Sequence, residues 1–262
     1  MLLRAPGPVE RDPLEAVDLP APVPGPGEVR LTISACGLCH TDLHEVEGEL
    51  RPPKLPVVPE AFAFRLPGGF TDAQAAPLLC AGIIGYRALR LADVKPGERL
   101  GLFGFGASAH IAIQVARFWG CEVWVFTRSA EHRALAKALG ASWVGGADDK
   151  PPGLLDRAIS FAPAGGVIPL ALAKLRKGGT LALAGIHLDK IPEMPYTLLY
   201  GERTLRSVTA STRRDAEALL TLAARIPIKT EVEVFPLEEA NAALQRLKAS
   251  RISGAGVLRI AP

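Results

Sequence analysis

Between residues 98 and 210 the chain alternates two apolar patterns at regular spacing. Short runs rich in β-branched and aromatic residues predict strands: "ERLGLFG" (98–104), "EVWVFT" (122–127), "SWV" (142–144), "LLDRAISFA" (154–162), "TLALAG" (180–185) and "TLRSVTA" (204–210). Between them, "ASAHIAIQVARFWG" (107–120), "SAEHRALAKALG" (129–140) and "GGVIPLALAKLRKGG" (165–179) predict helices, each closed by glycine. Strands and helices in such alternation form right-handed βαβ units. The expected fold is therefore α/β, a doubly wound parallel sheet with helices on both faces. Upstream, residues 71–94 read as a helix capped by Thr71 or Asp72, and residues 28–35 as a strand following a Pro-rich stretch of short edge strands and turns. Downstream the pattern changes to helix 214–225, strand "EVEVF", helix 237–249 and strand "GAGVLRI".

Composition narrows the function classes. A chain of 262 residues, 48% apolar and 22% charged, can bury the cores of two modest domains. A net charge of +3 without a Lys/Arg block argues against a nucleic-acid partner. Apolar runs such as "APLLCAGIIGY" (76–86) are too short to span a bilayer, so no membrane partner is expected. Residues 1–28 carry prolines and acids where a signal peptide needs an apolar core, and a cytoplasmic location is expected. Four cysteines in such a setting are reduced thiols, available for metal or buried.

The sharpest local motif is "GLFGFGASAH" (101–110), a glycine-rich turn between a predicted strand and helix. Gly104 makes the tight turn, and Gly106 lets the N–H groups of Ala107, Ser108 and Ala109 approach a pyrophosphate. Ala109 stands where the third glycine of such a fingerprint packs helix on strand. The next strand ends in Thr127, Arg128 and Ser129, where NAD sites carry an acid for the ribose hydroxyls. A guanidinium beside neutral hydroxyls suits a 2′-phosphate, so NADP is expected, with NAD as the alternative.

A second concentration of chemistry lies in "ACGLCHTDLH" (35–44), which holds Cys36, Cys39, His40, Thr41, Asp42 and His44. Together with "LPVVP", "AAPLLCAG", "GFGASAHIAIQVA" and "GAGVLRI", in this order, it resembles the zinc-dependent alcohol dehydrogenases of the medium-chain dehydrogenase/reductase family over nearly the whole chain. The resemblance implies a GroES-like catalytic domain at 1–81 and 213–262 and a Rossmann domain at 82–212. It implies hydride transfer between a small alcohol or aldehyde and the nicotinamide cofactor. Carried over by position, Cys39 and Cys80 are ligands of a catalytic zinc, and His40 lies near the cofactor pyrophosphate. Thr41 bonds the substrate hydroxyl, Asp42 supports the metal site, and His44 passes the proton to solvent. A homo-oligomer formed through the Rossmann domain is also implied. Cys36 matches a family position that is usually not a ligand, His110 and Cys121 read as structural, and His132 and His187 read as ordinary rather than functional.

The resemblance also shows a loss. The family continues "LPVVP" with Gly-His-Glu, whose His is the second zinc ligand, and with a lobe of four cysteines around a structural zinc. Here Pro59 runs directly into Glu60-Ala61-Phe62. The GroES-like domain is thus truncated, and at most one zinc is expected, held by Cys39 and Cys80 with Glu60 or Cys36 as a substitute ligand. Impaired turnover is one expectation. The alternative is a catalytically inert NAD(P)-binding protein.

Overall fold

The computed structural model describes residues 1–50, 58–59, 63–185, 188–226 and 228–260. It begins with β1 (Leu2–Leu3), β2 (Leu14–Glu15), β3 (Glu28–Val29), β4 (Ala35–Leu38), α1 (His40–Val46), β5 (Val58–Pro59), α2 (Asp72–Ala75) and α3 (Ala81–Leu91). The middle of the chain forms β6 (Arg99–Phe103), α4 (Ala107–Phe118), β7 (Glu122–Phe126), α5 (Ala130–Ala138) and β8 (Trp143–Gly145). It continues through β9 (Leu155–Ser160), α6 (Val167–Ala173), β10 (Leu175–Leu183) and β11 (Thr204–Ser207). The tail supplies α7 (Arg213–Ala223), β12 (Val232–Pro236), α8 (Ala240–Lys248) and β13 (Ala255–Arg259).

The six middle strands form one parallel sheet in the order β8-β7-β6-β9-β10-β11. This is the doubly wound arrangement that the alternating pattern predicts. The order reverses between β6 and β9, and such sheets bind ligands in the crevice at that point. One face buries Leu100, Leu102, Val123 and Val125 against Ile111, Ile113 and Leu219 of α4 and α7. The other packs Phe103, Trp124 and Phe126 on Ile168 and Leu172 of α6, with the Phe103 and Phe126 rings stacked at 4.2 Å.

A smaller sheet, β12-β13-β4, joins the tail to the N-terminal part. β13 runs parallel to β12 and antiparallel to β4, pairing Leu258 with Cys36. Beneath it Leu38, Leu43 and Val46 meet Phe235, Ala240 and Leu244 in a separate core. β3 and β5 share only a two-residue antiparallel ladder, Glu28 to Pro59 and Val29 to Val58.

Three elements differ from the sequence reading. The helix expected at 165–179 stops at Ala173, because Leu175 already pairs with Leu155 and is fully buried in the sheet. The register then shifts before Thr180, with Gly178 at φ +72°, so strand and bulge replace the last helical turn. The helix expected at 71–94 is broken into α2, a 3₁₀ turn at Ala76–Leu79, and α3. Pro77 lacks an N–H and cannot continue α2, and the chain bends at Cys80 (φ −123°, ψ −79°). The strand expected at 28–35 is two separate pieces, β3 and the start of β4, which pair with different partners.

The α3 and α7 helices are clamped by charge. Asp215 is fully buried in the first turn of α7, where Thr212 caps the helix through reciprocal bonds to it. Its carboxylate accepts from Arg87 Nη1 at 2.6 Å, from Arg90, and from the Thr212 hydroxyl at 2.6 Å. Burial pushes this carboxyl up, but the bonds from Thr212, Arg87 and Arg90 outweigh it and hold the pKa below the usual aspartate range. Because the folded value is the lower one, the contribution is complete above the unfolded pKa and is lost as pH falls through the folded one. Asp215→Ala should cost about 3 kcal/mol in chemical denaturation at neutral pH, since it strands two guanidinium groups. The wild type should lose stability more steeply than this variant as the solution is acidified, and parallel acid limbs would refute the assignment.

Candidate functional site

The glycine turn between β6 and α4 lies at the crevice where the sheet order reverses. Gly104 has φ +85°, and a Cβ there would stand 3.0 Å from Ala162 N, just beyond β9. Both its backbone conformation and its surroundings demand glycine. Gly106 differs: no atom lies within 4 Å of where its Cβ would be. Its side is open space beside the N-terminus of a twelve-residue helix that has no side-chain cap and no acid in its first turn. The first α4 bond to the turn is His110 N–H to Gly106 O, at 3.1 Å, which leaves the N–H groups of Ala107, Ser108 and Ala109 for an anion. The residues present therefore fit a dinucleotide pyrophosphate.

His110 sits one turn into α4, fully buried, with neither ring nitrogen in a well-formed hydrogen bond. Burial drives its pKa down to about 4, so the ring is neutral packing at physiological pH. Cys121 is likewise buried, its thiol directed to Lys95 O at 3.4 Å.

At the end of β7, Thr127 is buried and its N–H bonds Gly145 O at 2.8 Å. Arg128 is exposed. Ser129 caps α5: its hydroxyl accepts from His132 N–H at 3.2 Å and donates to Glu131 at 2.5 Å. Sequence reasoning misses Arg133, whose Nε donates to Thr127 O at 2.8 Å and which stands over the same strand end. Its signal is the helix period, since a residue four beyond the cap returns to the cap's side. His132 is not idle either; its Nε2 lies 3.3 Å from Ile252 O.

The second concentration of chemistry surrounds the start of α1. Cys39 is the helix N-cap, and its N–H bonds the Asp42 carboxylate at 2.7 Å. Asp42 thus acts first as a cap. Cys39 and Cys80, 41 positions apart, lie near enough for each thiol to act on the other's pKa. The influence of Cys80, followed by the bonds from Thr41 and the Asp42 N–H, holds Cys39 below the usual thiol range despite burial and the Asp42 charge. The influence of Cys39, with burial, pushes Cys80 well up. Cys36 is exposed on β4, near enough for its charge to be felt at Cys80. His40 is exposed at the start of α1, and its pKa is held below the ordinary imidazole range by partial desolvation and then by His44, whose ring centroid is 6.3 Å away. His44 Nδ1 pairs closely with the Glu49 carboxylate, an acceptor that the sequence reading did not single out. Glu60 and His187 lie outside the described residues.

Helix α3 ties the two concentrations together. Cys80 is its N-cap, and Gly85 packs so closely that a Cβ would lie 2.8 Å from Ser108 O in the first turn of α4. Five residues of helix correspond to roughly 7.5 Å of axial rise. Cys80 is therefore a short reach from the glycine turn.

The family model for zinc-binding dehydrogenases matches residues 109–225. A probable alcohol dehydrogenase (AdhA) of Mycobacterium tuberculosis is 40% identical, over 98% of this chain and 96% of the relative. The chain belongs to the zinc-binding alcohol dehydrogenase family. A solved NAD-dependent alcohol dehydrogenase shares the fold, with a TM-score of 0.88 at 20% identity over 99% of this chain and 98% of that one. The quinone oxidoreductase of Thermus thermophilus, solved also with NADPH, gives 0.81 at 27% identity, covering 95% and 96%. The mycobacterial alignment runs over 332 residues, 70 more than this chain holds, yet covers nearly all of both proteins. The shortfall relative to the family is therefore internal.

A catalytic zinc takes three protein ligands. Among the described residues, no group of three His, Cys, Asp or Glu side chains is placed to hold a metal ion. The described donor set around Cys39 and Cys80 does not fit the family's metal, whereas the turn at Gly104–Gly106 fits its nicotinamide dinucleotide. Two glycine variants separate folding from binding. Gly106→Val should melt like the wild type but lose at least about tenfold in dinucleotide affinity by calorimetry, ~1.4 kcal/mol. Gly104→Ala should instead destabilise the fold by about 1–3 kcal/mol.

Proposed function

We propose that the protein is an oxidoreductase of the alcohol dehydrogenase type that moves hydride between a small alcohol or aldehyde and NADP. One observation supports this reading: Cys80 is the N-cap of α3, and Gly85 of that helix lies against Ser108 in the first turn of α4, so the segment of Cys39, Thr41 and His44 is near the glycine turn. The division into a truncated catalytic part (1–81 and 213–262) and a cofactor part (82–212) follows the same line, since β13 returns to pair with β4.

The nicotinamide supplies the hydride acceptor or donor when bound. The chain's own groups hold and position it. Gly104 and Gly106 admit the pyrophosphate to the N–H groups of Ala107, Ser108 and Ala109, with neutral His40 available as a further donor. Thr127, Arg128 and Ser129, joined by Arg133, offer the 2′-phosphate two guanidinium groups and two hydroxyls. Thr41 holds the substrate hydroxyl, and the His44–Glu49 pair takes its proton outward. No step is routed through zinc, because the two thiols lack a third partner among the described residues. Turnover should consequently be weak beside an intact relative. Four free thiols accord with the cytoplasmic setting, and the open edge of β11 is the place where a second copy would extend the sheet.

NADPH should bind more tightly than NADH by roughly 1.5–3 kcal/mol, the range for hydrogen bonds to charged groups. Arg128→Asp should reverse that order and Arg133→Ala should narrow it. Equal affinities in wild-type calorimetry would refute the NADP assignment. Activity is tested by alcohol-dependent NADP reduction together with elemental analysis of the same sample. Slow turnover with at most one zinc per chain is expected, and two tightly held zincs per chain would contradict the reading of the site.

A further inference from the structure

Helices α3, α4 and α7 enclose a surface hollow of about 420 Å³, a size usual for small-molecule sites. It lies at the far end of α4: Trp119 is the C-cap of this twelve-residue helix, so roughly 18 Å of axial rise separates it from the glycine turn. One wall is aromatic. The Trp119 ring stands edge-on to Tyr86 of α3 at 6.2 Å, and both rings are half-buried against the core of the six-stranded sheet. The floor is α7 and the turn that continues it. Arg214, Ala218, Thr221 and Arg225 recur there at three- and four-residue spacing and so share one helical face. The short side chains of Ala218 and Thr221 leave the middle of that face low, with Leu222 beside them as apolar lining.

Charge selects the occupant. Glu217 also lines the hollow, but its carboxylate is paired with Arg213 Nε at 2.8 Å, and its backbone carbonyl accepts the Thr221 hydroxyl at 2.7 Å. Arg214 and Arg225 are exposed and have no ion-pair or hydrogen-bond partner for their side chains among the described residues. A guanidinium keeps its charge throughout the physiological range, and its paired N–H groups match a carboxylate. Aromatic walls take a flat ring edge-to-face or offset-stacked. We propose that the hollow binds a flat aromatic carboxylate, its ring against Tyr86 and Trp119 above Ala218 and its charge met by Arg214 and Arg225. Such a ligand touches α3, α4 and α7 together, on the outer side of the joint that the buried Asp215 clamps through Arg87 and Arg90.

The test is calorimetric titration of the full chain with 2-naphthoate, beside 2-naphthamide, which keeps the shape without the charge, and cyclohexanecarboxylate, which keeps the charge without the aromatic ring. Only 2-naphthoate should bind saturably, and saturation should raise the melting temperature. The double variant Arg214→Ala/Arg225→Ala should lose at least about tenfold in affinity, the effect of removing a hydrogen bond to a charged group. Ala218→Leu should fill the floor and weaken binding as well. The double variant should melt like the wild type without ligand and bind NADPH unchanged, and saturating NADPH should leave 2-naphthoate binding as it was. Four results would overturn the proposal: no saturable binding, equal binding of 2-naphthamide, wild-type affinity in the arginine double variant, or competition with NADPH, which would put the ligand in the cofactor crevice. None of these readouts needs zinc or turnover, so the dehydrogenase reading is tested separately.

Discussion

The close seating of helix α3 sets the geometry of everything else. Gly82 and Gly85 present no side chains; a Cβ at the first would lie 2.9 Å from a Leu219 methyl, and at the second 2.8 Å from Ser108 O. Two bare positions on one helical face let α3 touch α7 and the head of α4 at backbone distance. Larger residues would push the helix away and carry Cys80 with it. Arg87 and Arg90, farther along the same helix, then fix its rotation through the buried Asp215. Packing sets how near the helix lies, and charge sets which way it faces.

What survives the internal shortening follows from where the cores lie. Two apolar clusters belong to the six-stranded sheet and its helices, and neither draws on described residues before Phe64. A third cluster, under β4, β12 and β13, takes Val9, Leu38, Leu43 and Val46 from the N-terminal part. A loss from the N-terminal part therefore leaves the six-stranded sheet with its packing partners. The chemistry is split in the same way: the glycine turn at Gly104–Gly106 keeps the geometry a dinucleotide needs, whereas the thiols lack a third metal ligand among the described residues.

The sequence made the cofactor half legible because its signals are local. Gly104 and Gly106 sit between a strand and a helix, and a tight turn needs only its neighbours. In the misread region, Leu175–Gly179, Leu175 continues the helical spacing of Ile168 and Leu172, and only its pairing with Leu155 decides otherwise. The approach of Cys39 to Cys80 spans 41 positions and has no local signature; family resemblance alone pointed to it. Arg133 and Glu49 were illegible for a related reason. Each acquires its place from a turn of helix or a reversal of the chain that residue types do not announce.

The two-residue ladder between β3 and β5 gives the molecule an uneven temperament. Two backbone pairs hold this segment, against a six-stranded sheet whose interior strands are paired on both sides. Opening free energies scale with what must be broken, so amide hydrogens of Glu28 and Val29 should exchange with solvent long before those of Leu102 or Ile159. A protease would find the same inequality and cut first near that ladder. The six-stranded sheet and its helices, whose cores draw on no described residue before Phe64, would then remain folded as a stable remnant.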